Sequence, residues 1–296
     1  MPLVVGFVND FKKSMTKLSK IDRIVGWLGL ASVIIGLSVL IILAITVLYA
    51  GWSRLSVAFL TSFPSRIAKD AGIYAAWVGT VWVLVLSAFF AVPLGIASAI
   101  YLEEYVGRRK FTHFLEINIS NLAGVPSIIY GLLGLGLFVR TLSMGRSVLA
   151  GAATLALLIL PIVILATREA LRAVPFSLRE ASYAVGATRW QTVWHQVLPA
   201  ALPGVLTGVI LAMSRAVGET APLIMIGALT YIAFLPQGVF DSFTVLPIQI
   251  FNWVSRPQAD FAVNAAAGVV VLLVITLLMN GLAIYLRHRS RHSVRW

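Results

Sequence analysis

Two oppositely charged side chains interrupt one of the long apolar stretches of this chain. Arg215 and Glu219 both fall inside the run from Ala201 to Pro222 and are four residues apart. Residues at that spacing share one face of an α-helix and can form an ion pair. The pair is therefore the first candidate for chemistry in the sequence.

An ionised side chain in the hydrocarbon of a bilayer is costly unless it is paired or hydrated, so it faces a bundle interior or a water-filled cavity. Two interpretations of Arg215 and Glu219 remain open. They could be a structural ion pair that locks helices together. Alternatively, Arg215 could meet a passing anion, with Glu219 keeping that anion from binding too tightly to leave. An arginine fork matches the oxygens of phosphate, but one arginine does not select phosphate over sulfate or molybdate.

The rest of the chain offers little other chemistry. It has no cysteine, which excludes disulfides, thiolate metal sites and a cysteine nucleophile. Its lysines all precede the third apolar run, and none follows a glycine-rich phosphate-binding loop. We expect no catalytic residues, no metal and no cofactor. If ATP drives this protein, another polypeptide must hydrolyse it.

The composition indicates a membrane protein. Hydrophobic residues make up 59% of the chain and charged residues only 11%, whereas soluble domains carry about 25% charged residues. The net charge of +12 is spread over short loops, which favours a topology signal and excludes a nucleic-acid partner.

Apolar runs long enough to cross a bilayer need about 20 helical residues. The sequence contains six: Ile24 to Ala50, Ala71 to Leu102, Ile117 to Val139, Ser147 to Thr167, Ala201 to Pro222, and Phe261 to Leu286. They lack the alternation of barrel strands, so we predict an all-α polytopic fold with six transmembrane helices. The second run is long enough to require tilt, protrusion or a bend near Pro93. Residues 223–235 are too few for a seventh span and are typical of a re-entrant or interfacial segment.

Six spans put both termini on one side of the membrane. Most lysines and arginines lie on that side: in the N-terminal segment 1–23, the loops 103–116 and 168–199, and the basic tail 287–296. The positive-inside rule therefore predicts that these segments are cytoplasmic.

The loop 168–199 carries two helix-start signals. Ser177 with Glu180, after Pro175, and Thr188 with Gln191 each match the capping-box pattern. Apolar stripes at helical spacing follow each box, and Gly186 and Pro199 are expected to end the two helices. The stripes are Leu178, Ala181, Ser182 and Val185, then Trp190, Val193, Trp194 and Val197. Such a hairpin could pack on its own bundle or dock into a groove of a partner protein.

The same loop resembles the EAA loop of ABC-importer permeases. Glu180, Ala181 and Ser182 are followed by Gly186 and later by Leu198 and Pro199. Ser182 replaces the usual second alanine, and Gln196 stands where isoleucine is usual. The resemblance implies that this loop is the coupling helix held by a separate ATP-hydrolysing subunit.

Further segments resemble the phosphate permeases of that family, and the PstA-type subunit most closely. They are residues 198–204, 214–223, 124–131 and 246–250. The resemblance implies a MetI-like permease core in spans two to six, within residues 71–286, that imports phosphate across the bacterial inner membrane by alternating access. It implies two copies of an ATP-binding subunit, a PstC-type second permease and a periplasmic phosphate-binding protein as partners. It also places Arg215, with Glu219 beside it, on the translocation path, and Arg168 as a weaker candidate.

Other interpretations of the sequence remain. The chain could be a permease for sulfate or molybdate, or a channel or sensory scaffold that needs no ATPase. A membrane enzyme is a third alternative, which is disfavoured because the sequence has no recognisable set of catalytic residues.

Overall fold

The computed structural model describes residues 2–106, 110–228 and 231–291, with side chains from residue 21 onward except at 111, 286 and 289–291. All regular secondary structure in these ranges is helical. The helices are α1 Pro2–Gly51, α2 Val57–Thr61, α3 Tyr74–Ile100, α4 Lys110–Ala123, α5 Ser127–Gly134, α6 Val148–Arg172, α7 Phe176–Ala184, α8 Arg189–Thr192, α9 Leu198–Gly218, α10 Ala221–Ile226, α11 Leu246–Val254 and α12 Ala259–Arg291. A 3₁₀ turn at Trp52–Arg54 follows α1, and π-helical turns at Tyr101–Tyr105, Leu135–Thr141 and Val193–Val197 extend α3 and α5 and join α8 to α9.

Five of these helices are long and apolar enough to cross a bilayer, and a sixth span is possible if one bent pair of helices counts as one. The expected all-α membrane fold is therefore confirmed. α3 continues through Pro93 without a change of helix type.

The third expected span, Ile117 to Val139, is not a single helix. α4 and α5 meet at an angle of 97° across residues 124–126. Pro126 lacks an amide hydrogen and disfavours helical backbone in the residue before it, so α4 must stop there. The apolar length of this run predicted one helix, because hydropathy does not register the proline.

α1 stands apart from the other helices. Its apolar side chains from Ile21 to Tyr49 are almost all exposed, and it contacts the bundle near Gly51, which lies against the backbone of Ala266 and Ala267. The packed core begins with α2, whose Phe59 is buried against Trp253. This division matches the resemblance, which covered only spans two to six.

α6 is the axis of the core, with α3, α5 and α9 packed around it. Small residues bring these helices close: Gly204 lies against Ala170, and Gly208 against Ala166. A later residue of α9 therefore contacts an earlier residue of α6, so the two helices are antiparallel. Ser87 of α3 donates a hydrogen bond to Ala152 O of α6 at 3.0 Å. Further along both helices, Gly95 lies against Val163, so α3 and α6 are parallel.

The bundle has two distinct ends. The basal end carries residues 101–106 and 173–197, where α3 and α6 finish. The apical end carries the start of α6 and residues 231–258.

We predict that Gly208→Ala destabilises the bundle by about 1–3 kcal/mol, because the added methyl would overlap the methyl of Ala166 between two backbones. The measurement is the thermal unfolding midpoint of the purified protein in detergent. Gly29→Ala in α1 is the matched control, because nothing lies within 4 Å of its added methyl. An equal midpoint for both variants would contradict the proposed close contact of α6 and α9.

Candidate functional site

Arg215 and Glu219 do form an ion pair, with 3.1 Å between Arg215 Nε and Glu219 Oε1. They do not share a helix face, however, because α9 ends at Gly218 and Glu219 has extended backbone. The pair therefore bridges the end of α9, and the expected span to Pro222 is four residues too long. The Arg215 side chain is 40% exposed and that of Glu219 16%, so the guanidinium reaches the surface of this chain.

Arg215 lies near the middle of the bundle's depth. The contacts of Gly204 and Gly208 with Ala170 and Ala166 set a register that carries Arg215 to the level of residue 159 on α6. Ile159 shares a buried cluster with Ala216, in agreement with that register.

Two breaks in helical backbone lie close to the pair. One is at residues 124–126 between α4 and α5, and the other is at 219–220 between α9 and α10. Gly131 lies against Pro222 and Met225, which brings the two broken segments together. At membrane depth, non-helical backbone is tolerated only where protein covers it or where it lines a water-filled cavity.

Tyr130 holds the first break in place. Its hydroxyl donates a hydrogen bond to Leu122 O at 2.8 Å, across the bend from α5 to α4. Its ring is buried in the cluster that contains Ala212 and Ala216, one turn before and one residue after Arg215. The bend is thereby fixed beside the charged pair.

The space next to the pair within this chain is small. Glu219 lines a cavity of about 10 Å³ with Thr80, Leu155 and Leu223, which is room for roughly one water molecule. An oxyanion needs more space than that. An anion that meets Arg215 must therefore approach from the exposed side of its guanidinium, outside the packed core of this chain.

A further polar contact lies one residue from Arg215. Ser214 Oγ lies 2.6 Å from Asn280 Oδ1 and ties α9 to α12. Sequence reasoning did not identify Asn280. The signal in the sequence was the polar side chain of an asparagine inside the apolar run Phe261 to Leu286.

Arg168, the weaker path candidate, lies elsewhere. Its side chain is buried at the basal end and pairs with Glu103 and Glu116, each at 3.3 Å. Arg172 pairs with the same two carboxylates at 2.9 and 3.3 Å. By the register of α6 and α9, Arg168 lies roughly 14 Å from Arg215 along the helix axis. Its contacts join α3, α4 and α6, which favours a packing role over contact with an anion.

Residues 173–197 form the helical hairpin that the sequence predicted, but its first helix starts differently. α7 begins at Phe176 with Pro175 at the cap position, and no side-chain cap bond is present. The expected capping box of Ser177 and Glu180 is therefore wrong. Proline's fixed φ starts the helix two residues early and leaves Ser177 inside it. The second box, Thr188 with Gln191, is confirmed.

The glycine stop of α7 is confirmed. Gly186 has φ +84°, which favours glycine, and its amide donates to Tyr183 O while that of Ala187 donates to Ser182 O. Ser182, the departure from the EAA pattern, has its own contact: its hydroxyl lies 2.8 Å from Thr192 Oγ1 and joins α7 to α8.

The second half of the hairpin corrects one expectation. The helix does not end at Pro199, because the π turn Val193–Val197 carries it on into α9. The wider turn accommodates a proline that cannot donate a hydrogen bond. Trp190 and Trp194, two members of the second predicted stripe, are 57% and 53% exposed and stack on each other with centroids 5.5 Å apart.

Part of the exposed hairpin surface is apolar. Val185, also expected in a stripe, is exposed because α7 ends before it, and Phe176 and Tyr183 are exposed as well. Glu180 and Ala181 lie on the same uncovered side of the hairpin. With the two tryptophans, these residues form a surface that the fold of this chain leaves uncovered.

Comparison with known proteins identifies the family of this chain. A family model described as "Binding-protein-dependent transport system inner membrane component" matches residues 91–292. The chain belongs to this family. It is thus a multi-pass membrane component of a transport system, as its EAA-like loop indicated.

Individual relatives and a solved structure are also transport proteins. The phosphate transport system permease protein PstA of Yersinia pestis is 34% identical over 92% of this chain and 91% of its own length. The PstA protein of Mycobacterium leprae is 39% identical over 72% of this chain and 70% of its own length. A solved inward-facing structure of the MetNI methionine ABC transporter superposes with a TM-score of 0.59 at 19% identity, covering 74% of this chain and 95% of that chain. That likeness confirms the MetI-like fold.

We predict that a cysteine at position 215 is open to water. Arg215→Cys, in a chain with no native cysteine, should react with a charged, membrane-impermeant thiol reagent in the assembled transporter. Ala216→Cys is the control, because that position is buried in the core. Labelling yields are read by mass spectrometry. If both cysteines are equally unreactive, Arg215 lies in a dry helix contact.

Proposed function

We propose that this chain is the PstA-type permease subunit of an ATP-driven importer that moves inorganic phosphate across a bacterial inner membrane. Membership of the transport family and the relatives named for phosphate transport support this proposal. The observation that carries it is a half-exposed arginine at mid-depth, beside two helix breaks, whose guanidinium faces out of the chain.

The chemistry of the site suits a transient stop for an oxyanion. A guanidinium presents paired N–H donors that match two phosphate oxygens. Glu219 occupies one side of that fork at 3.1 Å, so an arriving anion competes with a carboxylate already in place. A site for transport must release its ion, and this competition weakens binding without removing the positive charge.

A second, homologous permease of the PstC type completes the path. The bend at residues 124–126 is exposed on this chain, and so is Arg215. Neither a broken helix nor a charged guanidinium is stable against lipid. A partner subunit that covers this face would enclose a hydrated channel between the two chains, with Arg215 on its wall.

The hairpin is the docking site for an ATP-binding subunit, of which the complex holds two copies. Phe176, Trp190 and Trp194 offer an apolar knob at the basal end, and a short helix that fits a groove is a common mode of recognition. The basal end and both termini are cytoplasmic, in line with the excess of arginine and lysine there. The apical end then faces the periplasmic phosphate-binding protein.

Transport proceeds by alternating access. Closure of the ATP-binding subunits moves the two hairpins together, and the helices open toward the binding protein to receive phosphate. Hydrolysis reverses the movement and exposes Arg215 to the cytoplasm.

We predict that Arg215→Gln abolishes phosphate uptake by reconstituted transporter, because the anion loses the charge-assisted donor that this arginine presents at mid-depth. The measurement is uptake of radiolabelled phosphate into proteoliposomes, with sulfate and molybdate as competitors. Arg23→Gln, which removes one exposed arginine at the basal end, should transport normally. Normal uptake by Arg215→Gln would remove this residue from the path. Equal competition by sulfate or molybdate would reassign the substrate.

We predict that Trp190→Ala with Trp194→Ala releases the ATP-binding subunit, since the stacked pair supplies most of the aromatic area of the knob. Co-purification in mild detergent, followed by mass spectrometry, measures the loss. Trp52→Ala, an equally exposed tryptophan at the other end of the bundle, should leave the complex intact. Undiminished recovery of the partner would place its docking surface elsewhere.

A further inference from the structure

Arg179 is a buried cation in a largely exposed hairpin. It belongs to α7, and its side chain is 10% exposed while that of its partner Glu104 is 6% exposed. Arg179 Nη2 lies 2.6 Å from Glu104 Oε1, and Arg179 Nε lies 3.3 Å from both carboxylate oxygens. This is a fork-to-fork pair, the geometry that gives an arginine–carboxylate contact its directional strength.

The same guanidinium also holds the end of α6. It donates to Val174 O at 2.9 Å and to Leu171 O at 3.0 Å. Leu171 lies in the last turn of α6 and Val174 just after it, so neither carbonyl receives the amide that a continuing helix would supply four residues later. One side chain therefore joins three elements: α7 of the hairpin, the end of α6 and the π-helical end of α3.

The end of α3 is held from two sides. Glu104 binds Arg179 of the hairpin, while the adjacent Glu103 binds Arg168 and Arg172 of α6. Breaking a buried ion pair on one side only is strongly unfavourable, because it leaves the other charge unpaired. A shift of α7 must therefore carry the end of α3 with it, and α3 runs from there to Thr80, which lines the cavity beside Glu219.

We propose that the Arg179–Glu104 pair is the rigid link that carries movement of the docking hairpin into α3, which makes Arg179 a positioning residue for transport. The proposal rests on the docking of an ATP-binding subunit at this hairpin. Arg179 does not contact phosphate. Its role is to keep α3 in step with α7, so that ATP hydrolysis and the opening of the path stay coupled.

The test separates coupling from assembly. Arg179→Gln and Glu104→Gln are introduced into the reconstituted transporter, and phosphate uptake and ATP hydrolysis are measured on the same preparation. We expect the ATP-binding subunit to co-purify normally and ATP hydrolysis to continue. The ratio of phosphate transported to ATP hydrolysed should fall about tenfold, a typical size for coupling between sites. Glu169→Gln is the control, because that exposed carboxylate makes only a surface pair with Arg172.

A reversible tether tests the link in a protein that is already folded. Because the chain has no cysteine, Glu104→Cys with Arg179→Cys can be bridged by a bifunctional thiol reagent, with a cysteine-free ATP-binding subunit as partner. Bridging should restore the ratio, and reduction of the bridge should lower it again in the same sample.

The outcomes are distinct. An unchanged ratio in both single variants, or a bridge without effect on the ratio, would overturn the proposed link. Loss of the co-purified subunit in Arg179→Gln would make the pair a docking contact and overturn the link as well. Failure of the proposed function would show in the parent transporter itself, as an absence of phosphate uptake with ATP, before any variant is compared.

Discussion

The hydrocarbon of a bilayer offers no hydrogen bonds, and this constraint governs how the chain treats every polar group at membrane depth. Helices satisfy their own backbone, so the broken backbone at residues 124–126 and 219–220 is exceptional and requires cover from protein or water. A guanidinium at the same depth adds a charge with the same requirement. Their coincidence beside Arg215 makes this face one that lipid cannot cover.

Close packing along α6 brings the two backbone breaks and the Arg215 guanidinium together. Glycine and alanine contacts set the register of α9 on α6, and that register brings Arg215 to mid-depth. Gly134 lies against Thr154, which fixes how far α5 descends and hence where its break from α4 falls. Tyr130 then ties the break to α4 through Leu122 O. Small residues that carry no chemistry thus determine where the charged residue lies.

At the basal end, ion pairs replace small residues as the means of joining helices. Glu103 and Glu104 are neighbours in sequence, yet they bind different elements, one on α6 and one on α7. Ser182 adds a hydroxyl contact to Thr192 where the EAA pattern has alanine, and so stiffens the hairpin internally. A stiff hairpin with apolar side chains outside and ion pairs inside can pass a displacement from a partner to the bundle.

Composition and hydropathy alone determined the all-α membrane fold, the six apolar runs and the candidate pair Arg215 and Glu219, because each depends on residue type and local spacing. The hairpin was predictable for the same reason, through Gly186 and the Thr188 box. Its buried face was not, since helical periodicity does not tell which side meets the bundle: Trp190 and Trp194 turned outward, while Arg179 turned in. The depth of Arg215 and the ionic links at the basal end were decided only in three dimensions. They arise from contacts between residues far apart in the chain, and no local pattern records those.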